Sequence, residues 1–172
     1  VPRIQVVEHP DLQCEEGQLP TGQPPPYGLE GWCAAIDAGT LRQVMDGAYL
    51  RWYDADHVEQ RGQYESDARI GTWVHYDPNG VVDTVGEFVD GVMSGTWRTY
   101  YPSGAAKSEM AFEAGRQTGP SVDWSADGRR VVVGSWALGE RDGVWREYVD
   151  GQLTNERTYR MGVLQLEERI DP

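Results

Sequence analysis

The stretch that decides the fold is Gly71-Thr72-Trp73-Val74-His75-Tyr76, because its spacing of one glycine and two aromatic residues returns along the chain. The next copy, 24 residues later, reads Gly95-Thr96-Trp97-Arg98-Thr99-Tyr100. Five leading glycines share this 24-residue interval: Gly47, Gly71, Gly95, Gly119 and Gly143. A fixed period of about 20–50 residues is typical of repeat architectures. The sequence therefore predicts a tandem-repeat protein.

A turn-forming segment follows each aromatic pair. Two of these segments read Asp77-Pro78-Asn79-Gly80 and Tyr101-Pro102-Ser103-Gly104, with proline second and glycine fourth. These positions suit the backbone angles of a type I turn. A second short segment, ending in an aromatic residue, then leads through a glycine-containing connector to the next copy. Two short segments joined by a tight turn predict a β-hairpin, and five hairpins in series predict an all-β, open antiparallel β-meander.

Three columns run through the five copies, and nearly all their members are aromatic. The first holds Tyr49, Trp73, Trp97, Ser121 and Trp145, the second holds Trp52, Tyr76, Tyr100, Trp124 and Tyr148, and the third holds Tyr64, Phe88, Phe112, Trp136 and Tyr159. Equivalent positions in neighbouring hairpins lie two strands, about 9.5 Å, apart, so rings from the intervening strand fill the gap. We therefore expect an elongated single-layer sheet whose aromatic ladders replace a helical second layer. The spacing leaves open whether both faces carry aromatic residues or a bulge re-aims one column.

The pattern Gly-x-Trp-x-x-Tyr, a glycine turn, Gly-x-Phe/Tyr and a glycine connector resembles the MORN repeat, in its longer bacterial variant. That variant occurs in a family of antitoxin-like proteins and in secreted or lipid-anchored proteins. The resemblance covers residues 39–166 and implies a meander of hairpins used for protein contacts and oligomerisation. It implies no activity, because the matching residues are structural. The copy beginning Gly119-Pro120-Ser121 departs from the pattern, since it lacks its first aromatic residue.

The charge of the chain excludes some classes of partner. Its 172 residues carry 28 acidic and 15 basic side chains, which gives a formal charge of −13 and a pI near 4.5. Nucleic acids and anionic lipid headgroups are both bound through Lys and Arg. No run of the sequence approaches the roughly 20 apolar residues that a membrane-spanning helix requires. We therefore expect no nucleic-acid partner and no direct insertion into a membrane.

Residues 1–38 precede the repeats and are predicted to form an N-terminal, proline-rich cap. The repeats are predicted over 39–166, followed by a C-terminal tail over 167–172. Within the first segment, residues 20–28 contain four prolines and are expected to run extended as polyproline. We interpret the segment as a cap over the first hairpin, because repeat arrays need capped ends. The alternative is a recognition segment for an aromatic-lined groove.

The two cysteines, Cys14 and Cys33, are predicted to form a disulfide that closes a loop of about 20 residues. The alternatives are two free thiols or a two-ligand metal site, and no histidine stands at zinc spacing to complete the latter. A disulfide favours an oxidising compartment. We therefore expect a periplasmic, outer-envelope or extracellular, lipoprotein-like protein whose leader has been removed, since residues 1–8 are too short and polar to be one. A cytoplasmic location is the alternative.

One candidate binding site follows from the copy that departs from the pattern. Ser121 replaces the first-column aromatic between Trp97 and Trp145, which lie about 19 Å apart by strand spacing. If the column faces solvent, this notch is a candidate docking site for a peptide or an aromatic side chain. If the column faces inward, Met110 or Trp136 is expected to fill it.

A second candidate site is the last predicted strand, in residues 159–170, because its outer edge has unpaired backbone groups. The apolar stretch around Leu164 and Leu166 is a candidate contact for a partner strand. The charged residues that follow it, Glu167-Glu168-Arg169, are equally consistent with protection of that edge.

The sequence contains no recognisable catalytic constellation. Ser103 and Ser121 stand near no histidine motif, and the glycines follow the hairpin period without forming a phosphate-binding fingerprint. We therefore predict no enzyme and no catalytic, cofactor-binding or metal site. The expected function is that of a non-catalytic protein-interaction or scaffold module of the bacterial envelope or exterior, as a homo-oligomer or assembly subunit. The alternatives are a cytosolic antitoxin-like protein that neutralises a toxin, and a carbohydrate-binding module.

Overall fold

The computed structural model describes residues 11–170, and these form thirteen strands. The strands are β1 Leu19–Gln23, β2 Glu30–Ile36, β3 Gln43–Trp52, β4 Val58–Glu65, β5 Ala68–Tyr76, β6 Val82–Val89, β7 Val92–Tyr100, β8 Ala106–Glu113, β9 Arg116–Trp124, β10 Arg130–Ala137, β11 Glu140–Val149, β12 Gln152–Arg160 and β13 Val163–Arg169. Residues 1–8, which the sequence analysis judges too short and polar to be a leader, lie outside the described residues. So do the last two residues of the predicted tail. Among residues 11–170, no helix is long and apolar enough to cross a bilayer.

Each strand pairs with its neighbours in sequence, so that the order in the sheet is β1 to β13 without a crossover. The all-β class and the antiparallel meander of consecutive hairpins are thereby confirmed for the described chain, which contains no helix. Contacts divide these residues into two compact units. The first comprises the described residues up to Val82 together with Phe88–Gly91, and the second comprises Asp83–Glu87 and the described residues from Val92 onward.

Two kinds of turn alternate from β3 to β11, and the shorter kind also connects β11 to β12 and β12 to β13. In the longer kind, the glycine N–H donates to a carbonyl three residues earlier, as Gly80 does to Asp77 at 2.9 Å, which confirms the predicted position of the turn glycine. In the shorter kind, two residues such as Asp90-Gly91 connect the strands, and both have positive φ. Positive φ at both positions defines the type I′ turn, whose twist matches that of the flanking strands.

Backbone hydrogen bonds tie each short turn to the preceding hairpin. The N–H groups donate as follows: Asp67 to Met45, Gly91 to Arg69, Gly115 to Met93, Gly139 to Gln117, and Gly162 to Arg141, all within 3.0 Å. Every acceptor stands two positions before a leading glycine. Because these bonds repeat at the same place, the register of each hairpin on the one before it is set by the backbone as well as by the side chains.

The first aromatic column lies on glycines of the neighbouring strand. Three indole rings rest on three backbones in the same way: Trp73 on Gly62, Trp97 on Gly86, and Trp145 on Gly134. At each of these glycines an added Cβ would come closer than 3.0 Å to the indole, so only glycine permits the approach. The three tryptophans therefore occupy equivalent positions on their hairpins.

Rings of the third column complete the ladder by packing edge-on. The centroid of Trp73 lies 5.9 Å from that of Phe88, and Trp145 lies 6.3 Å from Tyr159. Trp97 packs in the same way on Phe112, with 5.9 Å between their centroids. Edge-to-face pairs at these distances are favourable because the positive edge of one ring meets the negative face of the other.

Both faces of the sheet carry aromatic residues, which answers the question that the sequence left open. Along β3, Tyr49 packs on Trp73 with 5.4 Å between centroids. Side chains alternate along a strand, and Leu50 and Trp52 accordingly pack with Leu12 on the other face. The second column therefore begins on the face opposite the Trp73 ladder.

The prediction of an extended polyproline segment over residues 20–28 is wrong. Leu19–Gln23 forms β1, which pairs with β2, and the chain then turns, with the Tyr27 N–H donating to the Pro24 carbonyl at 3.1 Å. Pro20 is compatible with β1 because an edge strand leaves part of its N–H groups without a ladder partner. Proline fixes only φ, and both polyproline and edge strands accept that value.

Candidate functional site

A disulfide fixes the segment that precedes β1, and the predicted pairing of Cys14 with Cys33 is confirmed by an S–S bond of 2.05 Å. Cys33 is fully buried in β2, where it packs in one cluster with Leu12, Leu50 and Trp52. Trp52 is only 1% exposed. The bridge therefore holds Leu12 over the face formed by β2 and β3, where Leu12 packs in the apolar cluster of the first unit.

The candidate site at Ser121 lies within the aromatic ladder. Ser121 and Trp145 are 2% and 3% exposed, and Trp97 is half-buried. Met110 pairs directly with Ser121 in the β8–β9 ladder, and the Gln117 amide donates to the Met110 sulfur at 3.0 Å. Because Ser121 and Trp145 are buried, a partner would reach these two residues only after neighbouring side chains had moved. Binding at Trp97, Ser121 and Trp145 stays a prediction.

Two arginines cover the ladder, and the sequence analysis did not identify them. The Arg69 guanidinium lies 4.3 Å from the Trp73 ring centroid, and Arg141 lies 4.4 Å from that of Trp145. Such contacts combine cation–π attraction with burial of the aliphatic stem. Both arginines stand two residues before a leading glycine, but the same position holds Met45, Met93 and Gln117 in the other copies, so the sequence pattern did not indicate a stacked cation. Trp73 is left 2% exposed, so its ring has no free face on which a sugar would stack.

Asp123 is a half-buried carboxylate in β9, two residues after Ser121. Burial raises the pKa of Asp123 above its ordinary value, against the weaker opposing effect of Arg141 and Arg130. The charged form is therefore disfavoured in the folded protein. By contrast, hydrogen bonds from Ser125 and Arg129 lower the pKa of Asp127, in the next turn.

We expect Asp123→Asn to stabilise the protein at pH 7, by less than about 1 kcal/mol. A raised carboxyl pKa means that the folded state binds its proton more tightly than the unfolded state, so stability is gained as the pH falls through the folded pKa. The advantage of the variant should therefore vanish in acid, which melting curves at pH 7 and pH 3 would measure. Asp127→Asn is the matched control and should destabilise at pH 7. An equal gain from Asp123→Asn at both pH values would contradict this account.

The candidate edge at Leu164 and Leu166 lies in β13, the last strand of the sheet. Among residues 11–170, β13 pairs only with β12, and its seven residues are all exposed, including Leu164 at 46% and Leu166 at 61%. Glu167 is occupied within the sheet: it accepts hydrogen bonds from Asn155 at 3.1 Å and Arg157 at 2.9 Å. These bonds lower the pKa of Glu167, which is therefore held as a carboxylate directed at β12.

The opposite edge of the sheet is built differently. β1 is five residues long and contains Pro20, which has no N–H to offer a further strand. The Thr21 hydroxyl donates to the Leu19 carbonyl at 3.1 Å, so one acceptor of this short strand is already engaged. Natural proteins commonly protect edges by short strands and proline. β1 has these features, and β13, which has neither, is the better candidate for strand addition.

The first unit also contains an open cleft of about 490 Å³ on the face that carries Leu50. Leu50, Val58 and Tyr76 supply its apolar walls. The Arg61 guanidinium, another lining group, lies 5.6 Å from the Tyr76 ring centroid. These residues come from three strands and share no motif, so no sequence pattern indicated the cleft. In the part of the chain that the structure describes, no three His, Cys, Asp or Glu side chains are grouped so as to hold a metal ion.

No family model matches the chain, and no curated protein is significantly similar to it. The resemblance to the MORN repeat therefore rests on the glycine and aromatic positions of this sequence. Those positions have clear structural roles. Gly62, Gly86 and Gly134, which we call the shelf glycines, allow the indole rings to lie on the backbone, and the turn glycines adopt positive φ. Membership of that family stays a prediction.

Proposed function

We propose that this chain is a non-catalytic protein-binding or scaffold module, with five MORN-like repeats of 24 residues across residues 39–166, that acts in the envelope or exterior of a bacterial cell. The observation that most supports the proposal is the contrast between the two sheet edges. β1 is short and carries Pro20, whereas β13 is exposed along its whole length. An exposed edge strand without proline is suited to pairing with another chain.

The chemistry of such binding follows from the backbone. An extended partner segment that pairs with β13 would satisfy the N–H and C=O groups along its outer edge, and side chains would add specificity on both faces. The exposed apolar side chains Val163, Leu164 and Leu166 would be removed from water at the same time. Burial of apolar surface contributes about 25 cal/mol for each Å². No catalytic group is needed for this function.

The disulfide supports the proposed location. Disulfides persist in oxidising compartments, whereas cytosolic thiols are kept reduced. Cys14 and Cys33 should therefore be oxidised in protein taken directly from its native cells, which intact mass after rapid alkylation would measure. If both cysteines prove reduced there, the cytosolic antitoxin-like function replaces the envelope function.

We expect a photo-crosslinking amino acid at Leu166 to trap a discrete protein partner in native cells, because this side chain lies 61% exposed on the open edge. The same amino acid at Leu19, which is 54% exposed on β1, is the matched control and should trap little. Adducts would be compared on denaturing gels and identified by mass spectrometry. Equal trapping at both positions, or none at Leu166, would refute the edge as the binding surface.

A further inference from the structure

In the second unit, two large apolar side chains occupy positions that both the solvent and the backbone disfavour, as Leu41 does in the first unit. Leu138 and Met161 are the first residues of the short β10–β11 and β12–β13 turns, and they are 71% and 74% exposed. Their φ angles are 55° and 49°, in the left-handed region that favours Gly, Asn and Asp. A bulky residue in that region is a conformational outlier, and such outliers concentrate at functional sites.

The other short turns of the second unit show what this position ordinarily holds. Ala114 begins the β8–β9 turn with φ 48°, and Asp150 begins the β11–β12 turn with φ 51°. Both are small or polar, and neither exposes a large apolar surface. The turn itself therefore does not require a large apolar residue such as Leu138 or Met161.

Leu138 and Met161 belong to turns near the start of β13, and the Glu140 carboxylate lies close to Gly162 in the second of these turns. Their turns lie at the same end of the second unit and are two strands, about 9.5 Å, apart. Val163, which is 62% exposed, opens β13 immediately after the second turn. We call Leu138, Met161 and Val163 the apolar corner. It is continuous with the free edge of β13.

The other half of β13 carries Glu167, Glu168 and Arg169, and one of the two carboxylates faces a like charge. Glu168 lies directly opposite Glu156 in the β12–β13 ladder, and like charges in opposite positions are destabilising. Glu156 is already paired with Arg146 at 2.8 Å, and Glu167 with Arg157 at 2.9 Å. A cation beside Glu168, supplied from outside the sheet, would offset this repulsion.

We propose that β13 receives an extended segment of a partner protein that has an apolar end and a basic end. A large apolar side chain of this segment packs into the apolar corner beside Met161, and a Lys or Arg lies beside Glu168. The inference rests on the proposed function, strand addition to β13, and deepens it by naming the chemistry of the partner. A second copy of this chain fits less well, because antiparallel pairing of two β13 strands centred on Leu166 would place Leu164, and not Arg169, opposite Glu168.

The test selects ten-residue peptides from a random displayed library on the immobilised full chain. We expect the enriched peptides to combine an apolar block with Lys or Arg. The best peptide would then be synthesised, and its dissociation constant would be measured by fluorescence anisotropy. Leu138→Asn and Met161→Asn should each weaken binding at least fivefold while raising the melting temperature by roughly 2–4 °C, because Asn suits the left-handed turn position. The opposite signs of the two effects exclude misfolding as the cause of lost binding.

Ala114→Asn is the matched control, since it relieves the same backbone strain without removing apolar surface, and it should leave the dissociation constant unchanged. A peptide N-methylated at alternate residues tests strand addition itself, because it lacks the donors that pair with β13. If N-methylation abolishes binding but both Asn variants still bind the peptide, the partner does not contact the apolar corner, and strand addition to β13 remains the binding mode. If N-methylated peptide still binds, or if no peptide is enriched, both are wrong. Dimerisation of the chain that Met161→Asn abolishes would instead assign the corner to a second copy.

Discussion

Ser121→Trp, which restores the ladder residue found in other copies, is expected to destabilise the protein by about 3 kcal/mol. The reason is Met110, which pairs with Ser121 and occupies the position where other copies have a shelf glycine. Met110→Gly alone should cost a similar amount, about 3 kcal/mol, because it leaves a cavity beside a buried serine. The double variant should lie within about 1–2 kcal/mol of the wild type, since indole and glycine then match as Trp97 and Gly86 do.

Urea unfolding of the four proteins gives the coupling energy, which we expect to be about 3 kcal/mol or more in favour of the double variant. Ser121→Ala is the control, because it removes the hydroxyl without adding volume and should change stability by less than about 1 kcal/mol. Additive effects of the two single substitutions would show that Met110 does not fill the missing tryptophan's place. The copy that departs from the pattern would then need another explanation.

The ladder itself was predictable from the sequence because its chemistry is local and periodic. Glycine at a shelf position and tryptophan one strand later constrain each other through a direct contact, as Gly62 and Trp73 do. Turn glycines such as Gly80 likewise reflect a requirement of their own backbone. Such constraints repeat in most of the hairpins, so the spacing alone indicated strands, turns and the order of pairing. The Cys14–Cys33 pairing followed from there being only two cysteines.

Features that depend on which neighbouring group a residue contacts were harder to predict from the sequence. The φ that proline imposes suits a polyproline segment or an edge strand, and the pairing of β1 with β2 decided between them. Arg69 stacks on Trp73 because of the direction in which its side chain leaves β5, which a residue pattern does not specify. No sequence pattern distinguishes Met161 from other turn residues. Only its positive φ and its exposure mark it as unusual.

Replacement of both cysteines by alanine is expected to lower the free energy of unfolding by about 3 kcal/mol, with a fall in melting temperature of roughly 6–12 °C. The bridge joins residues 19 positions apart, and its removal restores the conformational freedom of that loop to the unfolded chain. A further loss comes from Leu12, which the bridge holds against Trp52 and Leu50. Thermal unfolding of the oxidised protein and of the double variant measures the difference.

Leu12→Ala in the oxidised protein separates these two contributions, because it removes the apolar contact and keeps the covalent link. It should cost about 2–3 kcal/mol, the lower part of the range for a buried leucine. Combining Leu12→Ala with the double cysteine variant should then cost less than the sum of the two effects, because without the bridge the segment that carries Leu12 is no longer held on β2 and β3. Full additivity would show that the segment stays in place without the disulfide. A fall in melting temperature of under about 2 °C for the double cysteine variant would show that the bridge contributes little to the stability of the first unit.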